Sequence, residues 1–249
     1  AWGWRVPFLA SAALVLVGLW VRLRLTETPA FERAVANNER VRVPVLAVLR
    51  EHPRTLVLAT LASVTTFVVF YLMTVFTLSW GTSRLGFARQ DFLLLQIVGV
   101  LFFPATIPLS AQLADRHGRR PMLIAATIAI IAFGLTFGPL FSSGSATSAV
   151  AFLSIGLGLM GLTYGPLGTA LAELFPTAVR YTGASLTFNL VGILGGSLAP
   201  DIATALAGRY GVAAVGYYLS AAGIVTLAAL VLLGAPKAVP DTPSPVLET

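Results

Sequence analysis

The sequence predicts an all-α bundle of helices that cross a membrane. Three observations carry this. Of 249 residues, 57% are hydrophobic and only 10% are charged, whereas soluble domains are about 25% charged. So few charges cannot cover a water-facing surface of this size. Long apolar runs recur along the whole chain, and the basic residues collect in alternate connections between them. In hydrocarbon every backbone N–H and C=O needs a partner within the protein, so spanning runs of this kind are helical.

About 20 apolar residues cross ~30 Å of hydrocarbon. The first run, residues 6–21, is short, but Trp2, Trp4 and Trp20 flank it as interface anchors. The others are residues 55–78, 92–114, 122–141, 149–172, 182–207 and 212–234, which makes seven expected spans. The chain then divides into a single helix (1–21), a linker (22–54), a six-helix unit (55–235) and a tail (236–249). The linker mixes seven arginines with Glu27, Glu32, Glu39 and Glu51. Its segment 30–39, opened by Thr28-Pro29, carries a helix-start signal, but the length of the connection reads first as a linker. Pro240, Pro243 and Pro245 predict a disordered tail. The chain opens on Ala1-Trp2-Gly3-Trp4 without a Met. We expect a piece of a longer protein that begins near the membrane surface.

The net charge of +6 would suggest nucleic acid in a soluble protein. Here the arginines lie beside apolar runs and orient the bundle instead. Twelve basic residues fall in connections on one side and four (Arg5, Arg84, Arg89, Arg209) on the other. The positive-inside rule puts the twelve in the cytoplasm, the N-terminal residue outside and the C-terminus inside. There is no cysteine, hence no thiolate metal site or thiol nucleophile. His52 and His117 both lie in connections, so no buried Ser-His or metal constellation can form. No glycine-rich phosphate loop is present. We expect no enzyme, no metal and no cofactor.

The densest cationic point is the loop Leu113-Ala114-Asp115-Arg116-His117-Gly118-Arg119-Arg120-Pro121. Arg116 suits a helix C-terminus, Gly118 a left-handed turn and Pro121 the first turn of the next helix. Asp115 can accept hydrogen bonds from backbone N–H groups there, or pair with an arginine. One reading is a topogenic anchor. The other is a conformational latch of Asp115, Arg116, Gly118, Arg119 and Arg120, with Glu173 on the same face as a partner for Arg116 or Arg180.

The Asp115-Arg116-x-Gly118-Arg119-Arg120 loop resembles the signature loop of the major facilitator superfamily, with Ala111 where that pattern begins on glycine. Trp4-Arg5-Val6-Pro7-Phe8 followed by Arg24-Leu25-Thr26-Glu27-Thr28-Pro29 resembles the sixth helix and central loop of its metabolite:proton symporters. Glu173-Leu174-Phe175-Pro176 with Arg180-Tyr181-Thr182-Gly183, and Gly195-Gly196-Ser197-Leu198-Ala199-Pro200, resemble later segments of the same group. The resemblance implies helix six plus the second half of a twelve-helix, plasma-membrane transporter, lacking the first five helices. It also implies proton-coupled uptake of a small organic acid, betaine or amino-acid-like metabolite. Its partners would be that substrate, protons, the bilayer and the missing N-terminal half. A half-transporter inactive alone is the alternative.

A seven-helix receptor is a further alternative, since Asp115-Arg116-His117 ends the third run. Against it stand the absent cysteines, the long 22–54 connection and the continuation into Gly118-Arg119-Arg120-Pro121. A retinal protein is excluded, because Lys237 is the only lysine.

Within the runs, Gly161 and Gly165 allow close helix approach. Pro166 beside Gly165, and Pro200 after Gly192 and Gly196, predict bends. Asp201 is the only acid well inside a run, a proton-site candidate or a partner for Arg209. Thr66, Tyr71, Gln96, Tyr164 and Asn189 are substrate-binding candidates, and each can equally bond a neighbouring helix. Asn189 leads, because a lone amide in hydrocarbon needs partners. Phe67, Phe76, Phe102 and Phe103 read as packing.

Overall fold

The computed structural model describes residues 2–24 and 43–234, and the chain divides into two compact units, Ala1–Arg42 and Val43–Thr249. In the first, a 3-10 turn at Gly3–Arg5 leads into α1, Val6–Arg24. The Arg5 guanidinium lies 4.4 Å from the Trp2 ring and that of Arg24 4.6 Å from Trp20. A cation over an aromatic face thus marks each end of the helix. The possible helix at 30–39 and the tail 236–249 lie outside the described residues.

Every regular element among the described residues of the second unit is a helix. Within the stretch 22–54, read as a linker, residues Pro44–Glu51 form a short helix, α2. It is amphipathic: Ala47 and Val48 are buried while Val45, Leu46 and Leu49 are exposed. The further helices are α3 (Pro53–Ser83), α4 (Arg89–His117), α5 (Arg119–Leu135), α6 (Phe137–Phe141), α7 (Ala146–Glu173), α8 (Thr177–Tyr210) and α9 (Val212–Leu233). Prolines at 44 and 53 open α2 and α3, where a missing N–H costs nothing.

Among the described residues six helices are long and apolar enough to cross a membrane, one fewer than the seven runs. The difference is the run 122–141. It is helical but breaks at Thr136, leaving α5 with 17 residues and α6 with 5. Pro139 has no N–H to give to the Leu135 carbonyl. Thr136 closes α5 instead, its N–H and its hydroxyl both donating to Phe133 O at 3.0 and 2.8 Å.

Two helices contain one wide, π-helical turn each: Leu72–Phe76 in α3 and Gly192–Ser197 in α8. The second precedes Pro200, which cannot donate to the Gly196 carbonyl. Pro166 lies inside α7, which continues as one helix to Glu173.

Helix α7 packs along α4, and α9 along α5 and α3. Small residues set how closely. A Cβ on Gly161 would collide with Thr106 Oγ1 and Phe103 O, and one on Gly165 with Ser110 Oγ. Thr106 Oγ1 donates across the seam to Gly158 O at 2.9 Å and Ser110 Oγ to Gly161 O at 3.3 Å. Gly216 of α9 sits directly on the Gly134 carbonyl of α5. Thr65 Oγ1 donates to Thr226 Oγ1 at 2.8 Å, which donates on to Leu61 O at 2.7 Å. With no hydrophobic force between helices in lipid, such close approach and hydroxyl bonding do the joining. One end of the bundle is filled by Phe76, Phe92, Phe133, Phe137, Phe141 and Phe152, whose rings approach to 4.6 Å between Phe137 and Phe152.

The seam predicts its own sensitivity. Gly216→Leu forces a side chain into backbone, and overpacking of this kind costs about 1–3 kcal/mol or more. Gly168→Leu on α7 adds the same bulk where no atom lies within 4 Å. Membrane abundance and monodispersity in detergent should fall several-fold for the first and hold for the second.

Candidate functional site

Two places in the second unit gather chemistry. The first is the end of the bundle where α5 begins and α7 and α9 finish. Helix α4 stops at His117 because Gly118 turns into φ 96°, a conformation that only glycine adopts without strain. The Gly118 N–H closes the last turn on Ala114 O at 2.8 Å. The reversal brings Arg119 and Arg120 onto α5 and back over the bundle end. Arg119 pairs with Glu173 of α7. Arg120 donates through Nε to Leu230 O at 2.9 Å and through Nη2 to Val231 O at 3.1 Å. Both carbonyls lie in the last turn of α9, in the negative field of its dipole, and Val231 O also accepts the Gly234 N–H at 3.3 Å.

This revises the expected pairing. Glu173 takes Arg119, not Arg116 or Arg180. Arg180 donates instead to Phe175 O at 3.4 Å. Asp115 and Arg116 sit on the last turn of α4, ahead of the reversal. Both are exposed, and among the described residues neither side chain has a hydrogen bond or ion pair. Between the ends of α5, α7 and α9 and Ala62 of α3 lies a small cavity of about 50 Å³, with Arg119, Arg120 and Glu173 in an otherwise apolar lining.

The second place is a cavity of about 270 Å³ near the middle of α3, α4 and α7, lined by Phe67, Phe70, Tyr71, Phe103, Met160 and Tyr164. No charged side chain lines it. Phe103 and Tyr164 meet edge to face at 5.4 Å, and Phe70 and Tyr71 at 5.2 Å. The wide turn of α8 closes on the same wall. A Cβ on Gly195 would come within 2.7 Å of Phe67 Cβ, and one on Gly196 within 2.8 Å of the Tyr71 ring. Aromatic faces, a thioether and two phenols suit the apolar or cationic part of a small solute.

The cavity brings together two of the five expected binding residues, Tyr71 and Tyr164. Thr66 is buried and donates to Thr163 Oγ1 of α7 at 3.0 Å; its hydroxyl is used between helices. Gln96 is engaged with the α3 backbone. Asn189 is exposed and donates to Ser185 O of its own helix at 2.8 Å, which answers its need for a partner without a substrate. Asp201 is exposed, with no ion pair to Arg209. Phe67 and Phe103, read as packing, line the cavity, and Phe70 and Met160 were not foreseen. Their signal is helical spacing: Phe67, Phe70 and Tyr71 share one face of α3, and Met160 and Tyr164 one face of α7. Phe76 belongs to the aromatic core. Phe102 lines a separate open groove with Ser154, whose buried hydroxyl has no hydrogen-bond partner among the described residues.

A long-helix bundle with a charged end and an uncharged aromatic cavity defines a multi-pass membrane protein. Comparison with known proteins gives its family: the model of the Major Facilitator Superfamily matches residues 1–200, and the chain belongs to that superfamily. It is 45% identical over 237 residues to the inner membrane metabolite transport protein YhjE of Escherichia coli (strain K12), covering 93% of this chain and 54% of that protein. It is 32% identical to the shikimate transporter of Escherichia coli (strain K12), covering 96% and 56%. To the citrate-proton symporter of Salmonella typhi it is 31% identical, covering 93% and 54%. The chain spans about half the length of the curated relatives it matches. Family membership removes the receptor reading, and these relatives are transport proteins, not enzymes.

The two arginine contacts should differ in weight. Exposed ion pairs contribute about 0–1 kcal/mol, and the Arg119 and Glu173 side chains are 34% and 41% exposed. Hydrogen bonds from a charged donor contribute about 1.5–3 kcal/mol. Arg120→Ala should therefore lower the Tm by about 5 °C or more and Glu173→Gln by about 2 °C or less, read by thermal unfolding in one detergent.

Proposed function

We propose that this chain forms the second half, with the last helix of the first half, of a secondary active transporter. It takes up a small organic acid, betaine or amino-acid-like metabolite together with protons, by alternating access. The observation that carries the reading is the aromatic cavity, set near the middle of three membrane helices and free of charge in its lining. A transport site needs such a place. Its Tyr71 and Tyr164 hydroxyls can hydrogen-bond a substrate while the rings take its apolar face. The names of the relatives support the class. Their length supports a role for a further segment that supplies the facing wall, since sites of this kind lie between two repeats.

In this reading the arginine end faces the cytoplasm of the plasma membrane, which puts the N-terminal residue outside and the C-terminus inside. Asp115, Arg116, Gly118, Arg119, Arg120, Glu173 and Arg180 form the latch. The Arg119–Glu173 pair is closed in this structure. Asp115 is the group left to make a contact in the other state, because only contacts that differ between states bias an equilibrium. Asp201 is the proton-site candidate, and Gly165, Pro166 and Pro200 are the bend points.

Uptake of labelled citrate, shikimate, proline and glycine betaine, by cells carrying the full reading frame and by proteoliposomes holding residues 1–249 alone, tests the whole. A proton-dependent signal in cells and none from the piece alone is the expected pattern; transport by the piece alone would overturn the half-site. Phe103→Leu and Tyr164→Leu should each raise KM about tenfold, equivalent to 1.4 kcal/mol of binding, at unchanged abundance. Asp115→Asn should lower the transport rate with abundance held, and equal loss of both would return the loop to a topogenic anchor. Asp201→Asn should weaken proton coupling.

A further inference from the structure

The wide turn of α3 leaves one carbonyl without its helical donor. In an α-helix the Thr77 N–H would donate to Met73 O; here it donates to Leu72 O. In an apolar interior that vacancy must be filled. Two side chains fill it. Thr77 Oγ1 donates to Met73 O at 2.6 Å. Gln96 Nε2 reaches across from α4 to the same oxygen at 3.0 Å and to Thr74 O at 2.8 Å, lying 3.4 Å from Thr77 Oγ1.

The chemistry at position 96 is specific. Two carbonyl oxygens need a group with two hydrogens to give, and a primary carboxamide has them. A carboxylate would set like partial charges against each other. A hydrocarbon would leave Met73 O to the Thr77 hydroxyl alone and take from Thr74 O its side-chain donor. Asparagine is one methylene too short for the same reach.

The turn held in this way begins one residue after Tyr71. Thr74 Oγ1 donates back to Phe70 O at 2.7 Å, so the turn also grips Phe70, a second cavity residue of α3. On its far side the Tyr71 ring lies against Gly196, in the wide turn of α8. Gln96 shares its helix with Phe103, on the opposite cavity wall.

We infer that Gln96 is a positioning residue for the aromatic cavity: its carboxamide holds the Leu72–Phe76 turn in its wide register and so fixes Tyr71 between α4 and the wide turn of α8. The inference rests on the reading of that cavity as the substrate site. A relaxation of the turn to ordinary α-helical register would rotate what lies beyond it and withdraw the Tyr71 face from the cavity.

Hydrogen–deuterium exchange by mass spectrometry on the purified protein tests the clamp without a substrate. Gln96→Met keeps the length and removes both donors. Exchange over residues 72–77 should rise about tenfold or more and should rise over 192–197, while 212–233 keep their protection. Gln96→Glu adds a readout that loose packing would not produce. Its carboxylate should expose the turn, and its protonated form, which regains one donor, should restore part of the protection at low pH. The nearest charged neighbours in sequence are Arg89 and Asp91 on α4 and Arg84 at the end of α3. Unchanged exchange over 72–77 in Gln96→Met, or a loss spread evenly over the bundle, overturns the inference.

Uptake of labelled citrate, shikimate, proline and glycine betaine by cells carrying the full reading frame separates this inference from the cavity reading. The expected result is a KM raised about tenfold for the transported probe, with the saturated rate held. If Phe103→Leu and Tyr164→Leu raise KM and Gln96→Met does not, the inference fails and the cavity stands. If none of the three moves it, the cavity reading fails.

Discussion

A backbone carbonyl in hydrocarbon has no water to turn to, and leaving it unpaired costs several kcal/mol. Most of what is individual about this bundle follows from that. Where the chain is α-helical the demand is met within each turn. Where it departs, a named side chain steps in: the Thr136 hydroxyl at the break before α6, Gln96 at the wide turn of α3, Arg120 at the open end of α9. The repairs by Gln96 and Arg120 also tie one helix to another, so that these irregular points are points where helices are joined.

Glycines and hydroxyls make the remaining joints. Along α4 and α7, Gly161 and Gly165 admit Thr106 and Ser110 so closely that the hydroxyls bond to carbonyls of the facing helix. The Thr66–Thr163 bond links α3 to α7 between the arginine end and the aromatic cavity. Ala62 and Leu167 line the first of those places, and Phe67, Met160 and Tyr164 the second. One seam therefore runs from the charged end to the cavity, and both places share the same pair of helices.

Helical class and the positions of six of the seven expected spans were legible from run length and composition, because a membrane punishes every alternative. Partner choice was not. Arg116, Arg119 and Arg180 are equivalent as sequence, and the left-handed Gly118 decides which of them returns to Glu173. Asn189 looked like the lone amide in need of a ligand, but its own helix supplies the carbonyl. Gln96 looked the same and is satisfied by another helix, at a turn whose wide register no local signal in residues 72–76 announces. Phe67 and Phe103 could not be told from packing residues, since the same ring serves a core and a cavity wall. The helix at Pro44–Glu51 was hidden inside a connection whose arginines and glutamates dominated its composition.

The uncharged lining of the aromatic cavity has an electrical consequence. Moving one elementary charge through a membrane potential of 100 mV changes its energy by about 2.3 kcal/mol. The walls that this chain contributes carry no such charge. A rearrangement of those walls is therefore insensitive to voltage by itself, and the field acts there only on charge that enters the cavity.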